Sequence, residues 1–203
     1  MPVFICQGKS IYFSHVPKCG GTSVERVLRR NSSETGWIST HPTNTPFLNK
    51  LMRCSPQHIH AALADQIFPM SSFDYRFILV RDPVHRIVSK YRMEWGRRKD
   101  GGMRPFGTWL EHVFSLYQKN AFVLDNHIRP AAEFLSPDMH VFKLEDGLDA
   151  VFKAISNRLE IDIDAARIPH VLSRPADRDI SITPTPDEVA LISFLPNARQ
   201  AKC

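Results

Sequence analysis

The sequence predicts an α/β fold: an open, mostly parallel sheet with helices on both faces. An apolar run, Ile11-Tyr12-Phe13 to Val16, leads through a lysine and two glycines into a stretch whose Val24, Val27 and Leu28 share one helical face. A second apolar run, Phe77-Ile78-Leu79-Val80, leads into Asp82-Pro83 and another helical pattern, so a strand-to-helix unit recurs. With 203 residues, 43% hydrophobic and 23% charged, the chain is long enough for one well-buried domain and short for two. A single domain over residues 1–203 is therefore expected.

The elements follow in order. A strand over 10–16 and a helix over 21–30 open the chain. The polar stretch 31–46 holds Trp37 and Ile38 and suits a short strand, and 47–53 and 59–68 read as short helical pieces separated by Ser55-Pro56-Gln57. A strand is expected over 76–80. Aspartate is a good N-cap and proline fits a first helical turn, so Asp82 and Pro83 specify the start of a helix over 83–95. Arg97-Arg98-Lys99-Asp100-Gly101-Gly102 combines like charge with two glycines and reads as a solvated loop. In the helix over 106–118, Trp109, Leu110, Val113, Phe114 and Tyr117 recur at core spacing. A strand over 140–144, a helix over 148–159 and a capped helical segment around 188–194 complete the chain. No internal repeat appears beyond the strand-to-helix unit.

A formal charge of +5 favours an anionic ligand without naming it. No long basic run or basic-aromatic stripe supports nucleic acid as a partner. Cys6, Cys19, Cys54 and Cys203 show no metal-ligand spacing, so a reduced chain without a metal is expected. The amino terminus lacks a charged segment followed by a long apolar core, and no stretch approaches a membrane span. A soluble, cytoplasmic chain is the expectation. Oligomeric state stays open, because no coiled-coil seam can be read.

The two units also carry the candidate chemistry. Gly20 and Gly21 allow a ligand to approach the backbone closely, and the amides and positive dipole end of the following helix suit a phosphate. The turn differs from a Walker A loop, because Lys18 precedes the glycines; Thr22 and Ser23 add hydroxyl donors. In the second unit Arg81 lies at the strand tip. Ser89 falls two helical turns beyond Asp82, at a spacing that can share a face with Arg86. The arginine fork suits phosphate.

Together the segments resemble the signatures of sulfotransferases that use 3'-phosphoadenosine 5'-phosphosulfate (PAPS). Pro17-Lys18-Cys19-Gly20-Gly21-Thr22-Ser23 resembles their 5'-phosphosulfate loop, and Arg81-Asp82-Pro83 with Arg86 and Ser89 resembles their 3'-phosphate site. The opening His15-Val16-Pro17-Lys18 is closer to the membrane-type carbohydrate sulfotransferases, the heparan and chondroitin group. The resemblance runs from about Ile11 to Glu145 and is faint beyond. It implies a P-loop NTPase-like architecture, PAPS as donor, adenosine 3',5'-bisphosphate as product, and a hydroxyl of a carbohydrate or other small alcohol as acceptor. By position, Lys18 would contact the bridging oxygen of the phosphosulfate, the loop from Lys18 to Ser23 would hold the 5'-phosphate, and Arg81, Ser89 and the late Arg174 would hold the 3'-phosphate.

Further segments extend the resemblance. His58-Ile59-His60 resembles the His-x-His stretch of heparan 2-O-sulfotransferases, whose second histidine is the base, which points to His60 as base and His58 as an acceptor contact. Glu94 and Glu145 are the fallback bases. Asn126-His127-Ile128-Arg129-Pro130 resembles a segment whose histidine and arginine lie near the acceptor, although Ala131 replaces the usual glutamine. Leu144-Glu145-Asp146 resembles a strand-end acidic pair, His15 reads as structural, and Cys19 as a small packing residue. Sulfuryl transfer needs a cation at the leaving group and a base for the alcohol, and no metal. The rival classes are an ATP-dependent phosphotransferase and a non-catalytic nucleotide- or polyanion-binding module. The missing Walker A order and the lack of a clear Mg²⁺-holding acidic strand weigh against the phosphotransferase.

Overall fold

A computed structural model describes residues 1–38, 53–96, 102, 104–165 and 181–194. Its strands are β1 (Val3–Cys6), β2 (Lys9–His15), β3 (Glu34–Gly36), β4 (Tyr75–Val80) and β5 (His140–Lys143). They form one sheet in the order β3-β1-β2-β4-β5. β2 pairs parallel with β4, and β4 with β5, whereas β1 is antiparallel to both β2 and β3. Only β1 is therefore reversed, and the sheet is mixed but mostly parallel. The sequence reading did not anticipate β1. It is joined to β2 through Gln7 and Gly8, whose φ angles of 48° and 79° make the two-residue turn that follows strand twist.

The helices are α1 (Gly21–Arg30), α2 (Ala61–Ile67), α3 (Pro83–Trp95), α4 (Phe106–Lys119), α5 (Asp149–Leu159) and α6 (Pro186–Phe194). Alternation along β2 distributes them. Ile11 and Phe13 join Val24, Val27 and Leu28 of α1 and Val151, Phe152 and Ile155 of α5 in one core. Tyr12 points the other way and joins Ile59 and Ala64, the latter on α2. Helices thus cover both faces, as the α/β reading requires. A third cluster, with Tyr91 of α3, Trp109, Leu110 and Val113 of α4 and Ile192 of α6, packs the remaining helices together.

Residues 47–52 of the helical piece expected over 47–53, residues 97–101 of the charged loop expected over 97–102, and Arg174 lie outside the described residues. Among the described residues, no helix is long and apolar enough to cross a membrane. The parallel register matters most for function. His15 pairs with Leu79, and Val80 with Lys143, so the chain beyond each strand brings Lys18, Arg81 and Glu145 out at one carboxyl edge. In open α/β sheets that edge is where ligands bind.

Candidate active site at the carboxyl edge of the sheet

After His15 the chain turns sharply, with Lys18 at φ 69° and Gly20 at φ 81°. For a lysine the left-handed region costs about 1 kcal/mol or more, a strain retained where surrounding structure dictates it. Gly20 is the N-cap of α1 and supplies no side-chain bond, and the side chain of Thr22 is exposed beside it. The Ser23 amide donates to the Gly20 carbonyl at 3.0 Å, and the positive end of the helix dipole at this first turn favours an anion. Cys19 is fully buried, and burial pushes its thiol up to about 11, as suits a packing residue.

The glycines have a different local reason from the one the sequence suggested. A Cβ at Gly21 would lie 2.4 Å from Nε2 of His15, and a Cβ at Gly20 would lie 2.9 Å from Cδ1 of Leu144. The protein's own side chains fill the space above both residues, so close ligand approach is not what demands them. His15 is held from behind, its Nδ1 lying 2.5 Å from Oε1 of Glu25, and Gln57 Nε2 donates to both oxygens of that carboxylate at 2.7 Å.

The second unit braces the first. Arg81 Nη1 reaches to 3.5 Å from the Lys18 carbonyl, and Arg86 Nε donates to the Pro17 carbonyl at 2.9 Å. Arg86 is 4% exposed and also donates through Nη2 to the His127 carbonyl at 3.0 Å. It is a strut between two segments, not the phosphate contact its motif position implied. Arg81 and Ser89 remain half-buried. Lys18 Nζ lies 3.4 Å from Met93 Sδ, along the α3 face on which Arg86, Lys90 and Met93 recur.

The two fallback bases are occupied. Glu145 Oε1 accepts the Asp82 amide at 2.9 Å. Glu94 takes Lys90 Nζ at 2.9 Å on Oε1 and Trp109 Nε1 at 2.9 Å on Oε2.

The histidines form a buried group. The rings of His15 and His127 lie edge-on to His58, with centroids 5.2 and 5.0 Å away. His58 Nδ1 lies 2.7 Å from Asp125 Oδ2, and Asp125 also accepts the Ser55 amide at 2.6 Å and the Ser55 hydroxyl at 2.8 Å. His127 Nδ1 donates to the Leu124 carbonyl at 2.7 Å. Burial lowers His58 to about 4 and holds His127 well below its ordinary value, the Lys90 charge adding to the latter. Burial pushes Asp125 upward, but hydrogen bonds from His58 and Ser55 prevail and hold its carboxyl below the usual range. His58, Asp125 and His127 offer atoms within 4.8 Å of one another, a metal-like spacing. The Lys90 charge facing His127 opposes a cation there.

The remaining expected residues lie slightly apart. His60 is half-buried at the N-cap of α2, its ring edge-on to Phe122 at 5.4 Å. Arg129 is 2% exposed, donates to Asn126 Oδ1 at 3.0 Å, pairs with Glu133, and lies over the Phe122 ring at 5.0 Å from its centroid. The edge therefore gathers Lys18 to Ser23 with Arg81, and Arg86 ties His127, and through it His58, to that loop. Sequence reasoning missed Asp125 and Glu25. The only signal for Asp125 was its place just before the Asn126-His127 motif, because no spacing rule pairs it with residues 55–58.

Comparison with known proteins bears on this arrangement. The model of the Sulfotransferase family matches residues 1–145, from β1 through β5 to Glu145. Searches of curated proteins and of solved structures gave no significant match. The match spans well over half of the chain and contains both strand-to-helix units that meet beside Lys18, and on that ground the chain belongs to the sulfotransferase family.

Proposed function

We propose that the protein transfers the sulfuryl group of PAPS to a hydroxyl of a carbohydrate or other small alcohol. The observation that carries this reading is the meeting of the two units, with Arg81 Nη1 3.5 Å from the Lys18 carbonyl. A nucleotide bearing anions at both the 3' and 5' positions needs both halves at once. The residues suit such a group: α1 begins without a side-chain cap beside the exposed Thr22, while Arg81 and Ser89 keep partly exposed polar groups. The backbone from Lys18 to Ser23 would hold the 5' end and Arg81 with Ser89 the 3'-phosphate, joined, on the family resemblance, by Arg174. Bound there, PAPS supplies an activated sulfuryl group.

Lys18 neutralises the charge that develops on the leaving phosphate oxygen, an effect of about 3 kcal/mol in a water-poor site. The resemblance of their segments gives His60 as the base and His58, His127 and Arg129 as acceptor contacts. The carbohydrate class rests on the His15-Val16-Pro17-Lys18 opening. Thermal stabilisation tests the reading: adenosine 3',5'-bisphosphate should raise the melting temperature and ATP with Mg²⁺ should not. Stabilisation by ATP with Mg²⁺ alone would favour a phosphotransferase. Nucleotide affinity with no sulfate transfer from labelled PAPS to any hydroxyl panel would leave a binding module.

A further inference from the structure

We propose that Asp125 and His58 form a proton-accepting dyad, in which Asp125 fixes Nδ1–H of His58 and leaves Nε2 as the nitrogen that receives the acceptor's proton. The inference rests on the sulfuryl-transfer reading and names a base other than His60. A carboxylate can only accept, so the 2.7 Å contact places the hydrogen on Nδ1 and the lone pair on Nε2. Asp125 cannot turn away, because the amide and hydroxyl of Ser55 hold its two oxygens at 2.6 and 2.8 Å.

The backbone is bent to keep this contact. Leu124, Asp125 and Asn126 all adopt left-handed angles, φ 52°, 56° and 61°. For residues other than glycine that conformation costs free energy at each position and survives where the surroundings impose it. Asn126 Nδ2 completes the clamp by donating to the His58 carbonyl at 2.8 Å. His127 has the same tautomer, its Nδ1–H directed at the Leu124 carbonyl, so a second bare Nε2 lies in the adjoining ring.

The charges are compatible with proton uptake. Asp125 and His127 from the turn, His15 from β2 and the Met1 amine face His58, with Glu25 behind His15 and Lys90 facing His127. Asp125 is the anion in direct contact, and it stabilises the imidazolium. His58 is 7% exposed, so one water carries the proton from the acceptor. The acceptor O–H bond breaks as its oxygen bonds to sulfur, the bond between sulfur and the bridging phosphate oxygen breaks and adenosine 3',5'-bisphosphate leaves, the water takes the acceptor's proton and gives up one of its own, an N–H bond forms at Nε2, and Asp125 stays ionised.

The test needs no assumed acceptor. Sulfate released from ³⁵S-labelled PAPS, with water as acceptor, is followed against pH, alongside melting with adenosine 3',5'-bisphosphate and ¹⁵N spectra of labelled histidines. Asp125→Asn should slow release by about 10²-fold. It should also move the acid limb to lower pH, since it removes the charge that raises His58, and leave nucleotide stabilisation at the wild-type level. Asp125→Glu should recover part of the rate. If Asp125→Asn does not fold, His58→Gln with the wild-type spectra serves instead, the spectra being expected to show Nδ1–H on His58. A proton on Nε2, or an unchanged rate and acid limb, overturns the dyad. Wild-type protein with neither nucleotide stabilisation nor turnover would instead sink the sulfotransferase reading, and the dyad with it.

Discussion

The turn from β2 into α1 and the turn from β4 into α3 leave neighbouring parallel strands at one edge, yet one helix starts on Gly20 and the other on Asp82. Asp82 Oδ1 accepts the His85 amide at 2.8 Å, and Pro83 has no amide to satisfy, so α3 closes its own first turn. Gly20 brings no side chain, so no side-chain cap closes the first turn of α1. An anion approaching α3 would also meet a carboxylate. On the proposed reading the difference would divide the labour between backbone and side chains: amides and dipole at the 5' end, the Arg81 fork and Ser89 hydroxyl at the 3' end.

Removing the cation of the open turn should have the largest effect. Lys18→Ala is expected to reduce sulfuryl transfer by about 10²- to 10³-fold. Binding of adenosine 3',5'-bisphosphate should survive through Arg81 and Ser89. Turnover near the wild-type rate would remove Lys18 from the chemistry.

Acid should separate the two turns, because His58 packs on His15, whose ring fills the space above Gly21 in the open turn, whereas the first turn of α3 is closed by Asp82 and only later residues of that helix, Arg86 and Lys90, reach His127. His58 is lowered to about 4 by burial, from an ordinary 6.5. Between those values the unfolded chain binds a proton that the folded protein refuses, so stability falls as pH drops from 6.5 to 4 and is fully present above 6.5. The total is about 3 kcal/mol, and the lowered His127 acts with the same sign. Hydrogen exchange at pH 5 and pH 7.5 should show amides of α1 losing protection before those of α3. Equal loss in both would disconnect the histidines from the open turn.

A smaller effect is expected from Gly21→Ala, whose new methyl meets the His15 ring. Overpacking of this kind costs about 2 kcal/mol. His15→Ala in the same chain should return part of it, a coupling that denaturant melts of both single variants and the double variant will measure. Additive losses would mean that Gly21 is not kept small by His15.

Much of this architecture was readable in the sequence. The apolar period and the Asp82-Pro83 pair placed α1 and α3 at their observed bounds, because those signals are local and act within one turn. The reversed direction of β1 was not, since Val3–Cys6 is too short to show a period and only Gln7-Gly8 marks the turn. Glycine at 20 and 21 was visible, but the side chains above them arrive from β2 and from beyond β5, so the steric reason appears only in three dimensions. The same holds for Asp125, presented by a left-handed turn without a glycine and satisfied by residues far upstream.

Asp82→Ala asks the least of the protein and speaks most directly to the contrast between caps. Its carboxylate accepts the His85 amide and lies 3.2 Å from His85 Nδ1, while its own amide is held by Glu145. The side chain is about half exposed, so its charge contributes little beyond the cap. Losing an aspartate N-cap costs about 1 kcal/mol, expected as a modest fall in melting temperature. Binding of adenosine 3',5'-bisphosphate should hold or tighten, because an anion near Arg81 no longer faces a carboxylate. A marked loss of binding would mean that Asp82 orients Arg81, and the second turn would then be part of the phosphate site through its cap as well as its arginine.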